Sequence, residues 1–307
     1  MTVSGKAFFL WGGIKMEGLP RKTTLLRKLL KEEEILLAPG CFNALSARLV
    51  EQAGFKAVYI SGAALAGNFL GYPDIGLTTM SEVLENVRNI VRVTSLPVIC
   101  DADTGFGNAI NMMRTVREFE STGLAGIQIE DQVMPKKCGH TEGKLLISKA
   151  EMVQKVKAAV DARQDPDFVL VVRTDAIAVN GLGDALDRAK VYQEAGADVI
   201  FVEAPRTVEE MRRICATIRA PLLANMVEGG GKTPVLPLEE LKKIGYKLVI
   251  YPVSAHMAAI KAMQEVLAVL KQEGTTARFA SRMVPFQEMF EVVGRSNFTA
   301  LEKKYAS

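Results

Sequence analysis

Asp101 and Asp103 stand two residues apart at the end of an apolar run, Pro97–Asp101, and Glu130 closes the next such run, Ala125–Glu130. Residues two apart on a strand point to the same side, so the two aspartates are expected to share a face, where like charges repel unless a cation or a shared proton lies between them. Carboxylates placed in this way, with no nearby His or Cys to select zinc, suit Mg²⁺, which takes few protein ligands and keeps waters for substrate oxygens to replace. The competing explanation is structural: the same residues would cap the helices that follow or pair with Arg114 and Arg117. A second cluster, Pro135-Lys136-Lys137-Cys138-Gly139-His140 followed by Gly143 and Lys144, holds one of only two histidines in the chain. A thiol beside lysines and a histidine, between glycines that let the backbone bend, reads as a mobile lid carrying a reactive group. The lysines are expected to lower the thiol pKa, and a bound anionic substrate to raise it again. A loop cysteine among solvated lysines would look the same on spacing alone.

Eight short apolar runs supply the frame for these residues: Ile35–Pro39, Ala57–Ser61, Pro97–Asp101, Ala125–Glu130, Phe168–Arg173, Asp198–Glu203, Pro221–Asn225 and Lys247–Pro252. They read as strands buried on both faces, start roughly every 30 residues and alternate with helix-period stretches such as Ser81–Val93, Glu151–Ala162, Gly183–Ala195 and Val208–Ile218. Eight βα units predict an α/β fold, a (β/α)8 barrel of the TIM type, over an open doubly wound sheet, for which the GxGxxG turn after the first strand is missing. In such barrels the active site lies at the C-terminal strand ends, and here those ends are polar: Ser61-Gly62, Asp101-Ala102-Asp103, Glu130-Asp131, Arg173-Thr174-Asp175, Glu203 and Asn225. A helix over about Thr23–Glu34, with Leu25, Leu26, Leu29 and Leu30, is expected to plug one end of the barrel. The whole chain, 1–307, reads as one domain, with an N-terminal extension over 1–22 and a helical C-terminal extension from about 274 to 307 whose apolar residues need a surface to cover them, on this subunit or a neighbour.

Composition excludes several classes. With 38 Lys and Arg against 35 Asp and Glu, the net charge of +3 falls short of the basic excess expected of a nucleic-acid binder. Four cysteines without a CxxC pair predict neither a disulfide framework nor a zinc site and suit a reducing cytoplasm. The apolar run Ala7–Trp11 is too short for a signal-peptide core, and no stretch reads as a membrane span.

In order and spacing, Asp101-Ala102-Asp103-Thr104-Gly105-Phe106-Gly107-Asn108, Ile129-Glu130-Asp131-Gln132 and Lys136-Lys137-Cys138-Gly139-His140 resemble the isocitrate lyase and phosphoenolpyruvate mutase superfamily. The resemblance runs from about Lys22 to Tyr305 and is to the short members: 2,3-dimethylmalate and methylisocitrate lyases, petal-death type lyases, oxaloacetate hydrolases and carboxyphosphonoenolpyruvate mutases. It implies a barrel whose last helix is exchanged with a neighbouring subunit, usually in a homotetramer, and Mg²⁺, with Mn²⁺ as a substitute, held by Asp101, Asp103 and Glu130, partly through water. It also implies that a small dicarboxylate meets Ser61, Gly62, Ala63, Gly139, Arg173 and Asn225, with Glu203 lining the pocket. Asp74, in Tyr72-Pro73-Asp74-Ile75-Gly76, matches a family active-site aspartate, and Lys137, Cys138 and His140 belong to the catalytic lid.

The implied reaction is retro-aldol or retro-Claisen cleavage of a 2-hydroxy dicarboxylate, in which Arg173 steadies the departing enolate, Cys138 protonates it, and Glu130, Asp74 or metal-bound water takes the hydroxyl proton. Mutases that act on phosphoenolpyruvate carry Asn at the position of Cys138, which argues against that reaction, whereas the carboxyphosphonoenolpyruvate mutases and oxaloacetate hydrolases remain alternatives, as does a barrel that only binds. Asn225-Met226-Val227-Glu228-Gly229-Gly230-Gly231 and Val202-Glu203-Ala204-Pro205 resemble the dimethylmalate lyases and carboxyphosphonoenolpyruvate mutases; Ala63-Ala64 also occurs in methylisocitrate lyases.

Overall fold

The computed structural model describes residues 20–306, so the run Ala7–Trp11 and most of the 1–22 extension lie outside the described residues. Helix α1 (Lys22–Glu32) leads into β1 (Leu36–Cys41), α2 (Ala44–Gln52), β2 (Val58–Ile60), the single turn α3 (Gly62–Leu65), α4 (Met80–Val93) and β3 (Val98–Asp101). The middle of the chain forms α5 (Ala109–Ser121), β4 (Gly126–Glu130), α6 (Lys149–Ala162), β5 (Val169–Thr174), α7 (Ala176–Asn180), α8 (Leu182–Glu194) and β6 (Val199–Val202). It continues through α9 (Val208–Thr217), β7 (Leu222–Asn225), α10 (Leu238–Ile244), β8 (Leu248–Tyr251), α11 (Ser254–Glu273), α12 (Phe286–Val292) and α13 (Arg295–Tyr305). All eight expected strands are present, parallel and in sequence order, and β1 pairs with β8, so the sheet closes into the expected barrel and the open-sheet alternative falls.

Side-chain alternation divides each strand between two cores. On β5, Val169 and Val171 fill the barrel interior, where they meet Tyr59, Ile99, Phe201, Leu223 and Ile250; Leu170 and Val172 face the helical layer. Leu26 and Leu30 of α1 belong to the interior cluster, which makes α1 the expected plug. Thr23 and Thr24 fasten it by hydrogen bonds to Asp165 (2.7 Å) and Asp167 (2.6 Å) in the segment before β5, and Arg27 adds an ion pair to Asp198 (2.7 Å) before β6.

The C-terminal helices behave differently. No residue of α11 is buried, and Met263 and Leu267 on it are 53% and 61% exposed. Helix α12 adds exposed Phe286 and Met289. These residues form an apolar surface that the described residues leave uncovered.

Candidate active site

The alternation that packs the barrel also aims its mouth. Tyr59, Ile99, Gln128, Val171, Phe201 and Leu223 point inward, so the residues two further along, Ser61, Asp101, Glu130, Arg173, Glu203 and Asn225, point inward as well. Asp131 has the opposite parity and faces the helices. There it accepts from Thr174 Oγ1 (2.7 Å), Tyr192 OH (2.9 Å), the Asp175 amide (3.0 Å) and Arg188 Nη1 (3.2 Å), a buried anchor for the ends of β4 and β5 rather than part of the pocket.

Asp101 and Asp103 meet, but not through strand alternation. Strand β3 stops at Asp101, and Asp103 lies beyond it at φ 48°, in the left-handed region, with its amide donating to Asp101 Oδ1 at 3.0 Å. Gln128 Nε2 donates to the same oxygen (3.0 Å) and is itself oriented by Tyr59 OH (2.5 Å to Oε1), so Oδ1 is fully engaged. Asp101 Oδ2 faces Gly62, where a Cβ would stand 2.8 Å from it and 3.5 Å from Asp103 Oδ1; only glycine leaves this space open. Helix α5 is capped by Asn108 and not by these aspartates, and Asp103 pairs with Lys136.

Lys136 is buried between Asp74 and Asp103 (2.7 Å to Oδ1). Burial would lower its pKa, but Asp103, Glu130, Asp101 and Asp74 outweigh burial and hold the ammonium charged. Burial, then the charge of Asp103, pushes Asp101 up to about 6, and burial also raises Glu130. Glu130 Oε1 has no hydrogen-bond partner among the described residues. Among the described residues no three His, Cys, Asp or Glu side chains already converge as a metal cage. Asp101 and Glu130, whose burial resists ionisation, with Asp103 facing the same gap over Gly62 as Asp101, nevertheless fit a hard divalent cation that takes one or two carboxylates directly and the others through water.

On the opposite side, Arg173 is held by charge on three sides. Asp175 binds it in bidentate fashion (both contacts 2.9 Å), Glu203 Oε2 lies 3.2 Å from Nη1, Glu130 Oε2 lies 3.4 Å from Nε, and the guanidinium sits 5.2 Å from the centre of the Phe201 ring. The lid lies directly on this group: a Cβ on Gly139 would stand 2.3 Å from Arg173 Nη2 and 2.7 Å from Glu203 Cδ. Two side chains hold the lid backbone. Gln132 clamps Lys137 through its amide (2.9 Å) and carbonyl (2.8 Å), and buried Lys144 donates to the carbonyls of Gly139 and Thr141.

Burial pushes the Cys138 thiol up, outweighing the His140 backbone amide that favours thiolate, so at neutral pH it carries its proton. The expected lowering by the flanking lysines does not dominate. Lys136 is engaged with carboxylates, and Lys137 is exposed with its ammonium over Gly143. The structure therefore brings Lys136, not Lys137, into the carboxylate cluster. His140 Nε2 lies 3.4 Å from Glu203 Oε1 and 3.4 Å from Asn225 Nδ2, and burial lowers its pKa. Ser61 Oγ accepts from the Ala64 amide (3.3 Å) as the cap of α3, leaving its proton free to donate, with Ala63 in the same turn.

One residue that the sequence did not single out joins this mouth. Gln128 orients Asp101, and its inward parity in the middle of a buried strand was a usable signal. In the segment after β7, where no fixed period guides a reading, Glu228 Oε2 and Thr233 Oγ1 are buried with no hydrogen-bond partner among the described residues.

The family model described as phosphoenolpyruvate phosphomutase matches residues 26–271, which spans every barrel strand and the lid. The chain belongs to this family. Among the relatives of this phosphoenolpyruvate mutase family member, 2,3-dimethylmalate lyase of Eubacterium barkeri is 48% identical over 282 residues, 92% of this chain and 97% of the relative. A 2-methylisocitrate lyase of Aeropyrum pernix is also 48% identical over 282 residues, 92% and 90% of the two chains. The crystal structure of a 2,3-dimethylmalate lyase superposes with a TM-score of 0.88 at 35% identity, covering 94% of this chain and 97% of that one. Phosphonopyruvate hydrolase in complex with oxalate and Mg²⁺ superposes with a TM-score of 0.85 at 32% identity, covering 94% and 100%.

Proposed function

We propose that this chain is a Mg²⁺-dependent carbon–carbon lyase that cleaves a 2-hydroxy dicarboxylate, of the 2,3-dimethylmalate or 2-methylisocitrate kind, to a 2-oxo acid and a carboxylate. The observation that carries the proposal is Cys138, a thiol kept protonated by burial on a lid whose backbone rests on Arg173 and Glu203. Lyase relatives at 48% identity, and a solved neighbour that binds Mg²⁺ with oxalate, support it.

Asp101, Asp103 and Glu130 would hold Mg²⁺, with Mn²⁺ able to replace it, and the ion would supply positive charge for the oxygens of the 2-hydroxy carboxylate. Ser61, the Gly62 and Ala63 amides, Arg173 and Asn225 bind and orient the two carboxylates. Asp74 and Glu130 are the carboxylates at hand to take the 2-hydroxyl proton. As the C2–C3 bond breaks, its electron pair moves onto the departing carboxylate as an enolate and C2 becomes a ketone. Cys138 donates its proton to C3, and Arg173 stabilises the enolate charge in a site from which the lid excludes water. Incubating the purified protein and Mg²⁺ with C4 to C7 2-hydroxy dicarboxylates and oxaloacetate, and reading products by mass spectrometry, tests this. A 2-oxo acid released from a hydroxy dicarboxylate supports the lyase, cleavage of oxaloacetate alone replaces it with a hydrolase, and no product with any of them overturns it.

The same reading extends to the assembly. The uncovered apolar face of α11 and α12 suits a homotetramer in which α11 packs on a neighbouring barrel. A monodisperse monomer by sedimentation at micromolar concentration would contradict it. None of the described helices is long and apolar enough to cross a membrane, and the four cysteines are unpaired, which suits a reducing cytoplasm.

A further inference from the structure

His140 has a partner on each ring nitrogen. The backbone amide of Lys232 donates to Nδ1 at 3.0 Å, while Nε2 faces Glu203 Oε1 at 3.4 Å, an acceptor for an Nε2–H; Asn225 Nδ2, also 3.4 Å away, is a donor that turns to Glu203 Oε2 (3.2 Å). An amide N–H has a hydrogen to give and no lone pair to offer, so the ring nitrogen that receives it carries no proton. A neutral imidazole has one bare nitrogen and one N–H, and fixing the first fixes the second. Burial, then Arg173 and Lys144, keep the ring neutral against the opposing charges of Glu203 and Asp175. We infer that Lys232 is a positioning residue that holds His140 in its Nε2–H tautomer, so that the ring meets the pocket as a hydrogen-bond donor and not as a base.

The segment that carries Lys232 is built for this approach. Gly229 and Gly230 take φ values of 72° and 129°, where residues with a Cβ are strained, and a Cβ on Gly231 would stand 2.4 Å from the Val227 carbonyl oxygen. The side chain of Lys232 pairs with Glu142 on the lid, so one residue grips the lid twice. The two grips differ in kind. Glu142 is 81% exposed, and a pair so exposed contributes little energy, whereas the amide decides which ring nitrogen carries the proton. The consequence for catalysis rests on the lyase reading, which places a substrate carboxylate beside Asn225 and Glu203 where the Nε2–H can reach it. The tautomer stands independently of that reading.

The chain has two histidines, so selective ¹⁵N-histidine labelling of the full-length protein gives a simple imidazole spectrum, and His256→Gln assigns it. At neutral pH the wild type should show His140 with Nδ1 unprotonated and Nε2 protonated. Lys232→Ala keeps the backbone amide and should preserve that pattern, whereas Lys232→Pro removes the amide and should give a mixture of tautomers. An Nδ1–H or a doubly protonated His140 in the wild-type spectrum overturns the inference, whether or not Lys232→Pro folds. A folded Lys232→Pro with an unchanged tautomer overturns the role of Lys232. Failure of the substrate screen would remove the lyase while leaving these spectra as they are.

Discussion

The two sides of the barrel mouth solve opposite electrostatic problems. Around Arg173 the carboxylates of Asp175 and Glu203 each touch a cation, with Lys144 also near Asp175, and the lid backbone covers the group; Glu130 reaches Arg173 with one oxygen and belongs to both sides. Around Asp101 the charges are under-compensated. Lys136 serves Asp74 and Asp103, while Asp101 is pushed up to about 6 and Glu130 keeps an unpartnered oxygen. The first side is complete as the chain folds, whereas the second has the buried carboxylates and the open space that suit a cation. Removing the charge of Asp101 and removing that of Arg173 should therefore have opposite effects on stability.

The largest effect is expected at Asp101. Asp101→Asn should lower turnover by about 10³-fold or more, as the loss of a main electrostatic group in an active site does, yet leave the melting temperature of the metal-free protein unchanged or higher, because it relieves repulsion from Asp103. A large drop in that temperature would break the comparison. Arg173→Ala should cost about 3–5 kcal/mol of stability by chemical denaturation, since it strands buried Glu130, Asp175 and Glu203. A loss below about 1 kcal/mol would show that the Arg173 cluster is not the closed network described above.

Cys138→Ser tests the lid between the two sides. It should retain substrate binding and lose about 10²-fold or more in kcat, because serine is too weak an acid to replace the thiol. Turnover within about threefold of wild type, a barrier change under about 0.7 kcal/mol, would remove the proton-donor role. A pH series sharpens the contrast at the cation side. The folded pKa of Asp101, about 6, exceeds its ordinary value of 3.8, so its protonated form favours the folded state. This contribution is fully present below about pH 4 and is lost as pH rises through about 6, a fall of about 3 kcal/mol in metal-free stability. Saturating Mg²⁺ or Asp101→Asn should flatten that fall, and denaturant titrations showing the same slope in all three samples would count against the cation side. The smallest effect is expected at Lys137. Lys137→Ala should change stability by no more than about 0.5 kcal/mol, whereas Lys136→Met, which leaves buried Asp103 and Asp74 without their cation, should change it by several times that. Equal effects would erase the distinction between the neighbouring lysines.

Strand existence and order were legible along the chain, and so was the inward aim of Ser61, Asp101, Glu130, Arg173, Glu203 and Asn225, because a two-residue period is a local property that any apolar run displays. Gln128 could have been read by the same rule. Asp131, grouped with Glu130 by adjacency, falls on the helical side by one step of that period. The lid and the segment after β7 gave no comparable guide.

What the sequence by itself determined was therefore the barrel, the polar rim and the motifs that carry the family resemblance, all encoded in composition and spacing over a few residues. Only the tertiary structure decided that Asp103 reaches Asp101 through a left-handed residue beyond the strand, that Lys136 rather than Lys137 enters the carboxylate cluster, and that Lys232 meets His140. Each is a contact made by irregular backbone or between segments far apart in the chain. Its geometry depends on barrel closure and on where turns such as Gly62 and Gly139 let chains approach, and no period along the sequence records that.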